Sequence, residues 1–159
     1  DNITKYLYSL DLSMSNSGIC IFNIDTYEPI HITSIKTNDK QTHGERLHVQ
    51  REFIKELIEK YPPCEVAIEK GFTRFNASTQ IIYRVVGVFN EVLHEYQQFY
   101  YAPTTVKKTI TGNGQSKKDV VQKAILKKYP DIEFDNDDQS DAFSVGIHHL
   151  IKNHKMKWD

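Results

Sequence analysis

The sequence lacks several features that would place it in specialised protein classes. It has no run of 18 apolar residues, so we expect no membrane span. No basic segment followed by an apolar one opens the chain, so we expect no signal peptide. Its two cysteines, Cys20 and Cys64, lie in apolar contexts without zinc-site spacing, which predicts buried free thiols in a reducing cytoplasm. The seven histidines likewise show no metal-site spacing. No repeat or linker divides the chain, which predicts one domain over residues 1–159.

The charges are unevenly distributed along the chain. Hydrophobic residues make up 39% and charged residues 26%, which is typical of a globular protein, and the net charge is only −1. Residues 100–129, however, contain seven lysines and one acid, whereas residues 131–141 contain six acids and no base. A basic segment beside an acidic one suits a protein that binds a polyanion and holds divalent cations. Two solvated faces of opposite charge would give the same pattern.

Hydrophobic periodicity predicts a mixed α/β fold. The predicted strands are Tyr6–Leu12, Gly18–Ile24, Ile30–Lys36, Cys64–Ile68 and Phe99–Ala102. The predicted helices are Thr42–Tyr61, Ser78–Glu95, a short Thr104–Thr111, Lys117–Tyr129 with Ser116 as its N-cap, and Asp138–Asn153. Three antiparallel strands followed by two parallel strands would form a five-stranded sheet with helices on both faces. Right-handed crossovers would place the fourth strand beside the first.

Four carboxylates occupy positions that this topology would bring together. Asp11 ends the first strand and Glu69 ends the fourth. Asp138 and Asp141 are three residues apart at the start of the last helix and share one face. Four convergent carboxylates repel one another unless cations lie between them, and oxygen ligands suit Mg²⁺ or Mn²⁺. Two such ions can activate a water and stabilise the leaving oxygen in phosphodiester hydrolysis.

Each of these carboxylates also has an ordinary structural interpretation. Asp11 could be a solvated strand end or part of an Asx turn, and Glu69 could simply end a strand. Asp138 and Asp141 could stabilise a helix N-terminus through its dipole. Their joint occurrence in this order favours the metal site.

These motifs resemble the RuvC family of Holliday-junction resolvases, within the RNase H-like superfold. The resemblance extends from about Tyr6 to Ile151. It rests on the blocks Leu10-Asp11-Leu12-Ser13, Ala67-Ile68-Glu69-Lys70-Gly71-Phe72, Tyr101-Ala102-Pro103-Thr104-Thr105-Val106-Lys107, Gly112-Asn113-Gly114 with Lys118, and Asp138-Gln139-Ser140-Asp141-Ala142. Asp-Leu-Ser stands where bacterial RuvC has Asp-Pro-Gly, and in this respect the sequence is similar to the resolvases of phages and prophages.

The resemblance implies a crossover junction endodeoxyribonuclease that cuts four-way DNA junctions in paired symmetric nicks. It implies two Mg²⁺ ions per active site, replaceable by Mn²⁺, no small-molecule cofactor, and action in the cytoplasm of a bacterial cell or phage-infected host. The implied catalytic residues are the metal ligands Asp11, Glu69, Asp138 and Asp141, together with Lys118. The candidate DNA-binding residues are Phe72, Arg74, Phe75, Lys107, Lys108, Lys117 and Lys118. For the lysines, a solvated helix face is the alternative, and for the two aromatic rings, a place in the core.

The family is homodimeric, which suits a two-fold symmetric junction. The resemblance implies that the Ser78–Glu95 helix forms the interface, and its apolar positions, which are too many for one core-facing stripe, agree with this. A helix buried on two sides within one subunit would explain the same pattern.

Other functions remain compatible with parts of the sequence. A nuclease of relaxed specificity would cut forks, three-way junctions and flaps with the same fold and ligands, and an RNA nuclease of the same superfold is a further alternative. An actin-like nucleotide-binding module also opens with a strand-end aspartate and a small-residue turn, but it normally needs two such domains. A junction-binding protein without cleavage would not need all four acids.

Overall fold

The computed structural model describes residues 3–71 and 77–159. The strands are β1 (Tyr6–Asp11), β2 (Asn16–Asn23), β3 (Pro29–Lys36), β4 (Pro63–Glu69) and β5 (Gln97–Tyr101). The helices are α1 (His43–Lys60), α2 (Ala77–Val92), α3 (Pro103–Thr111), α4 (Lys118–Lys128) and α5 (Asp137–Asn153). No helix among these described residues is long and apolar enough to cross a membrane.

The strands form one mixed sheet in the order β3-β2-β1-β4-β5. β1 pairs with β2, and β2 with β3, in antiparallel orientation, whereas β4 runs parallel to both β1 and β5. This arrangement confirms the predicted fold class, including the position of β4 beside β1. The central strand is covered on both faces, since Leu7, Tyr8 and Leu10 are fully buried.

Helices cover both faces of the sheet and divide the core into two clusters. Leu7 packs with α3, α4 and α5, whereas Tyr8 and Leu10 pack with α1 and α2. Side chains alternate between faces along a strand, so Asp11 lies on the same face as Leu7. On β4 the same alternation places Glu65 and Glu69 beside Ala67, which belongs to the α5 cluster. The carboxylates at the ends of β1 and β4 therefore face α5.

Two glycines allow α5 to lie unusually close to the sheet. A Cβ atom on Gly18, in β2, would come within 2.1 Å of the carbonyl oxygen of Asp138. A Cβ atom on Gly146, in α5, would come within 2.3 Å of the Phe22 ring. Because Gly18 is paired with Asp11 across the β1–β2 ladder, the first turn of α5 is held beside the end of β1.

Helix α1 begins with a reciprocal capping box. The Thr42 hydroxyl accepts a hydrogen bond from the Glu45 N–H (3.1 Å), and the Glu45 carboxylate accepts one from the Thr42 N–H (3.0 Å). We predict that Thr42→Ala lowers the free energy of unfolding by about 1 kcal/mol, because the N-terminus loses its cap. Urea unfolding measures the change. Thr4→Ala, at an exposed position before β1, should change it by less than about 0.5 kcal/mol. Equal losses in the two variants would contradict the capping role.

Two local predictions were wrong. Cys20 is buried as predicted, but Cys64 is exposed, because the buried cluster on its face of β4 begins only at Val66. Ser116 is not the N-cap of α4. Its hydroxyl donates to the Asn113 carbonyl (2.8 Å) within the preceding loop, so Lys117 occupies the cap position without a side-chain bond.

Candidate active site

Three of the predicted carboxylates converge at one edge of the sheet. Asp11 ends β1 and Glu69 ends the neighbouring parallel strand β4, so both side chains emerge at the same edge. The first turns of α5 bring Asp141 to them. Single carboxylate oxygens of Asp11, Glu69 and Asp141 all lie within 4.8 Å of one another. All three residues are only partly exposed.

Asp138 lies beside this cluster but outside it. Its carboxylate accepts a hydrogen bond from the Asn16 side-chain amide at 2.7 Å. It still lies close enough to act electrostatically on the cluster, since its charge contributes to raising the pKa values of Asp11 and Asp141. Asn16 opens β2 within the small-residue turn, and its contact with Asp138 was not predicted from the sequence. The structure thus brings together three of the four predicted acids, whereas the fourth, Asp138, is hydrogen-bonded to the side-chain amide of Asn16.

The turn that carries Asn16 is fixed by a buried polar network. The Ser17 hydroxyl donates to the Gln50 side-chain oxygen (2.6 Å), and the Gln50 amide donates to the Ser13 carbonyl (2.8 Å). The Ser13 hydroxyl in turn donates to the Asn16 carbonyl (2.7 Å). Gln50 is fully buried on the core-facing side of α1, and its role was not predicted from the sequence. The small residues after Asp11 therefore hold a defined conformation.

The carboxylates are difficult to ionise together. Burial, followed by the charge and hydrogen bond of Glu69 and the charge of Asp141, raises the pKa of Asp11 well above its ordinary value. Burial also raises the pKa of Glu69, against the hydrogen bond from Asp11. Both raised pKa values favour a protonated carboxyl in the Asp11–Glu69 pair, and a divalent cation between the two would take the place of the proton. A cluster of oxygen donors alone fits Mg²⁺ or Mn²⁺ rather than a softer metal.

Two lysines border the carboxylates. Lys118, the first residue of α4, donates from Nζ to Asp141 Oδ2 at 3.0 Å and lies 3.9 Å from Asp137 Oδ2. Its hydrogen bond to Asp141 is the main cause that raises the Lys118 pKa. Lys107, on α3, is close enough to Glu69 to oppose the effect of burial on the Glu69 pKa. Both lysines line a cleft with Glu69 and Asp141. The site therefore combines a cluster of carboxylates with two cationic side chains in one cleft.

The remaining predicted residues fall into two groups. Lys108 and Lys117 are exposed, on α3 and at the N-cap of α4. Phe72, Arg74 and Phe75 lie outside the described residues.

Comparisons with known proteins show which family the chain resembles. The model of the family "Crossover junction endodeoxyribonuclease RuvC" matches residues 14–149, a range that includes Glu69, Asp138 and Asp141 and begins three residues after Asp11. RuvC from Wolbachia sp. subsp. Brugia malayi is 32% identical over 155 residues, covering 91% of this chain and 93% of the relative. RuvC from Alkaliphilus metalliredigens is 31% identical over 145 residues, covering 86% of each chain.

The fold has a close counterpart among solved structures. Thermus thermophilus RuvC, solved in complex with a Holliday junction substrate, superposes with a TM-score of 0.86. The superposition covers 95% of this chain and 96% of that one, at 18% sequence identity. At this identity the likeness concerns the fold, and the sequence relatives carry the family assignment. On the family match and these relatives, the chain belongs to the RuvC family of crossover junction endodeoxyribonucleases.

Proposed function

We propose that this chain is a metal-dependent endonuclease that resolves four-way DNA junctions by paired symmetric cleavage. The observation that carries the proposal is the convergence of Asp11, Glu69 and Asp141 at one sheet edge, with Lys118 beside them. The relatives named above are crossover junction endodeoxyribonucleases, and T. thermophilus RuvC was solved with a Holliday junction. The same acids and cations would therefore act on a branched DNA phosphodiester.

We assign the metal ligands to Asp11, Glu69 and Asp141, with Asp138 available as a fourth. Two Mg²⁺ ions, replaceable by Mn²⁺, would supply an activated water and stabilise the leaving oxygen. The raised pKa values of Asp11 and Glu69 favour a protonated pair without metal, and bound cations would displace that proton. Asn16 keeps the Asp138 carboxylate oriented toward this edge.

The lysines contribute positive charge on the DNA side of the site. Lys118 orients Asp141 and offers a cation to the phosphate as negative charge develops in the transition state. Lys107 lies in the same cleft and is suited to an adjacent phosphate. Lys108 and Lys117 extend the basic surface on α3 and α4, where phosphate contacts would add affinity without sequence preference.

We propose a homodimer formed through α2. Among the described residues of this helix only Thr79, Val85 and Phe89 are buried, so it is not enclosed on two sides by its own subunit. Tyr83 is 51% exposed, and Ile82 and Val88 are only partly buried. A second copy covering this surface would place two active sites in two-fold symmetry, as symmetric cleavage requires. We further assign the chain to a single nuclease domain acting in the cytoplasm.

A substrate panel tests the proposed specificity. We predict that the protein with Mg²⁺ introduces paired nicks at symmetric positions in a synthetic mobile four-way junction. A three-way fork and a linear duplex of the same sequence should be cut far more slowly, because only the four-way junction presents two equivalent strands to two sites. Denaturing gels with each strand labelled in turn locate the nicks. If the fork is cut as fast as the four-way junction, the chain is a general branched-DNA nuclease.

A further inference from the structure

A second group of potential metal ligands lies at the opposite end of β4. The Glu65 Oε1 atom is 2.8 Å from His149 Nε2 and 2.6 Å from His154 Nε2. One ligand atom from each of these three residues lies within 4.8 Å of the other two. Two imidazole nitrogens and one carboxylate oxygen therefore meet at one point, in a cluster that shares no residue with the active site.

The fold separates this cluster from the active site by a fixed distance. Glu65 lies four residues before Glu69 on the same face of β4, a separation of about 13 Å along a strand. His149 lies eight residues after Asp141 on α5, a separation of about 12 Å along a helix. The two spacings are nearly equal. Because α5 runs antiparallel to β4 across the sheet, Asp141 therefore lies near Glu69 and His149 lies near Glu65. One end of this pair carries the active-site acids, and the other carries the two histidines with Glu65.

We propose that Glu65, His149 and His154 form a second metal site, suited to Zn²⁺ and separate from the catalytic ions. Two histidines and a carboxylate are a donor set that Zn²⁺ favours, whereas Mg²⁺ prefers oxygen ligands alone. The two sites would therefore select different metals within one small domain. Three protein ligands leave a fourth position of a tetrahedral ion for water.

The side chains around the cluster are arranged as they are around metal-bound histidines. His149 Nδ1 lies 2.7 Å from the Tyr101 hydroxyl and 3.2 Å from the Asn153 amide nitrogen, which fixes the ring with Nε2 toward Glu65. Of these two, the Tyr101 hydroxyl oxygen can accept a proton from Nδ1, which is the kind of partner typical of the second ring nitrogen of a ligating histidine, whereas the Asn153 amide only donates. An ion held by Nε2 would require the ring proton on Nδ1, where the Tyr101 hydroxyl oxygen would accept it.

The electrostatics favour the protonation states that a metal requires. His149 is fully buried, and burial lowers its pKa, which keeps the imidazole neutral. Burial alone would raise the Glu65 pKa, but the two imidazoles lower it below its ordinary value, so this carboxylate is ionised. The side chains of His154 and Glu65 are 25% and 20% exposed, which gives an ion a route to the site.

An ion at this position would fasten the C-terminal end of α5 to the sheet. His154 is the C-cap of α5, and its carbonyl accepts a hydrogen bond from the Tyr27 hydroxyl (2.5 Å). The following segment is also docked, since the Trp158 indole donates to the Ile110 carbonyl (2.8 Å). The role of the ion would therefore be to stabilise α5 against β4. The same helix carries Asp138 and Asp141 at its other end.

Zinc titration in competition with a chromophoric chelator tests the proposal. Metal-stripped wild-type protein, in excess Mg²⁺ to fill the active site, should bind one equivalent of Zn²⁺. Both His154→Gln and Glu65→Gln should weaken binding by at least about 10-fold, and His94→Gln, at an exposed histidine elsewhere, should leave it unchanged. Bound Co²⁺ should give the visible absorption of a tetrahedral site, and this absorption should disappear in His154→Gln.

Three outcomes would overturn the second site. The first is wild-type protein that binds no stoichiometric Zn²⁺, which would make the cluster a hydrogen-bonded network only. The second is Zn²⁺ affinity unchanged in both His154→Gln and Glu65→Gln, which would place the ion at the active-site acids. The third is an octahedral Co²⁺ spectrum insensitive to His154→Gln. Junction cleavage by His154→Gln in Mg²⁺ should match wild type, so this result is independent of the proposed function.

Discussion

Replacing Asp11 with asparagine is expected to abolish cleavage and, at the same time, to stabilise the metal-free protein. Cleavage should fall by about 10³-fold or more, because the variant loses one of the three carboxylates of the proposed metal site. The gain in stability has an electrostatic origin. Burial, Glu69 and Asp141 raise the pKa of Asp11 in the folded state, so folding retains a proton that the unfolded chain would release.

The sign of this effect depends on pH. A carboxyl group with a raised pKa contributes full stability only below its unfolded pKa of about 4, and the contribution is lost as pH rises toward the folded value. Asparagine has no proton to lose. At neutral pH and without metal, Asp11→Asn should therefore raise the free energy of unfolding by about 1–3 kcal/mol, whereas below pH 4 the two proteins should be alike.

Urea unfolding with chelator and with Mg²⁺, measured beside single-turnover cleavage, checks both parts. Mg²⁺ should stabilise the wild type and have little effect on Asp11→Asn, because the variant site attracts cations less strongly. Asp25→Asn, at an exposed position in the β2–β3 turn, serves as the control and should behave as wild type. A variant that keeps substantial cleavage, or that gains no stability without metal, would remove Asp11 from the proposed metal site.

Gly18→Ala is expected to damage both folding and catalysis from a position outside the carboxylate cluster. The new methyl group would lie 2.1 Å from the Asp138 carbonyl oxygen, so the first turn of α5 must move away from β2. Overpacking of this kind costs about 1–3 kcal/mol of stability. Displacement of Asp138 and Asp141 by about 1 Å should lower cleavage on the order of 10²-fold.

Gly44→Ala provides the matched control, because a Cβ atom there would meet only the Thr42 hydroxyl, at 3.9 Å. This substitution in α1 should leave cleavage unchanged. Urea unfolding and single-turnover cleavage at saturating Mg²⁺ distinguish the two variants. Wild-type cleavage in Gly18→Ala would mean that the position of the first turn of α5 does not depend on its close approach to β2.

Most of the fold could be predicted because its signals are local. Apolar runs and turn residues marked the strands, and the crossover rule placed β4 beside β1, which brought Asp11 and Glu69 to one edge. The bond between Asn16 and Asp138 could not be predicted, because it joins side chains 122 positions apart. Nothing in the sequence distinguishes that asparagine from its neighbours in the turn.

The second cluster was missed for a related reason. His149 and His154 are five residues apart at the end of a helix, which is not a recognised metal motif, and Glu65 lies 84 positions before His149. A signal was nevertheless present, since Glu65 and Glu69 share a strand face while Asp141 and His149 share one side of α5. Once Glu69 and Asp141 are placed together, the antiparallel helix brings His149 to Glu65. The spacings of Glu65 and Glu69 on β4 and of Asp141 and His149 on α5 predict this cluster only when the antiparallel orientation of the two elements is known.

The most direct test of metal-dependent junction resolution at Asp11, Glu69 and Asp141 is a magnesium titration of single-turnover cleavage on a labelled four-way junction. Without metal, the protein should bind the junction and leave it intact. With Mg²⁺, paired symmetric nicks should appear in the wild type and be absent in Asp11→Asn, which should still bind the junction. Cleavage in excess chelator, or tight binding with no cleavage in either Mg²⁺ or Mn²⁺, would contradict the proposed activity.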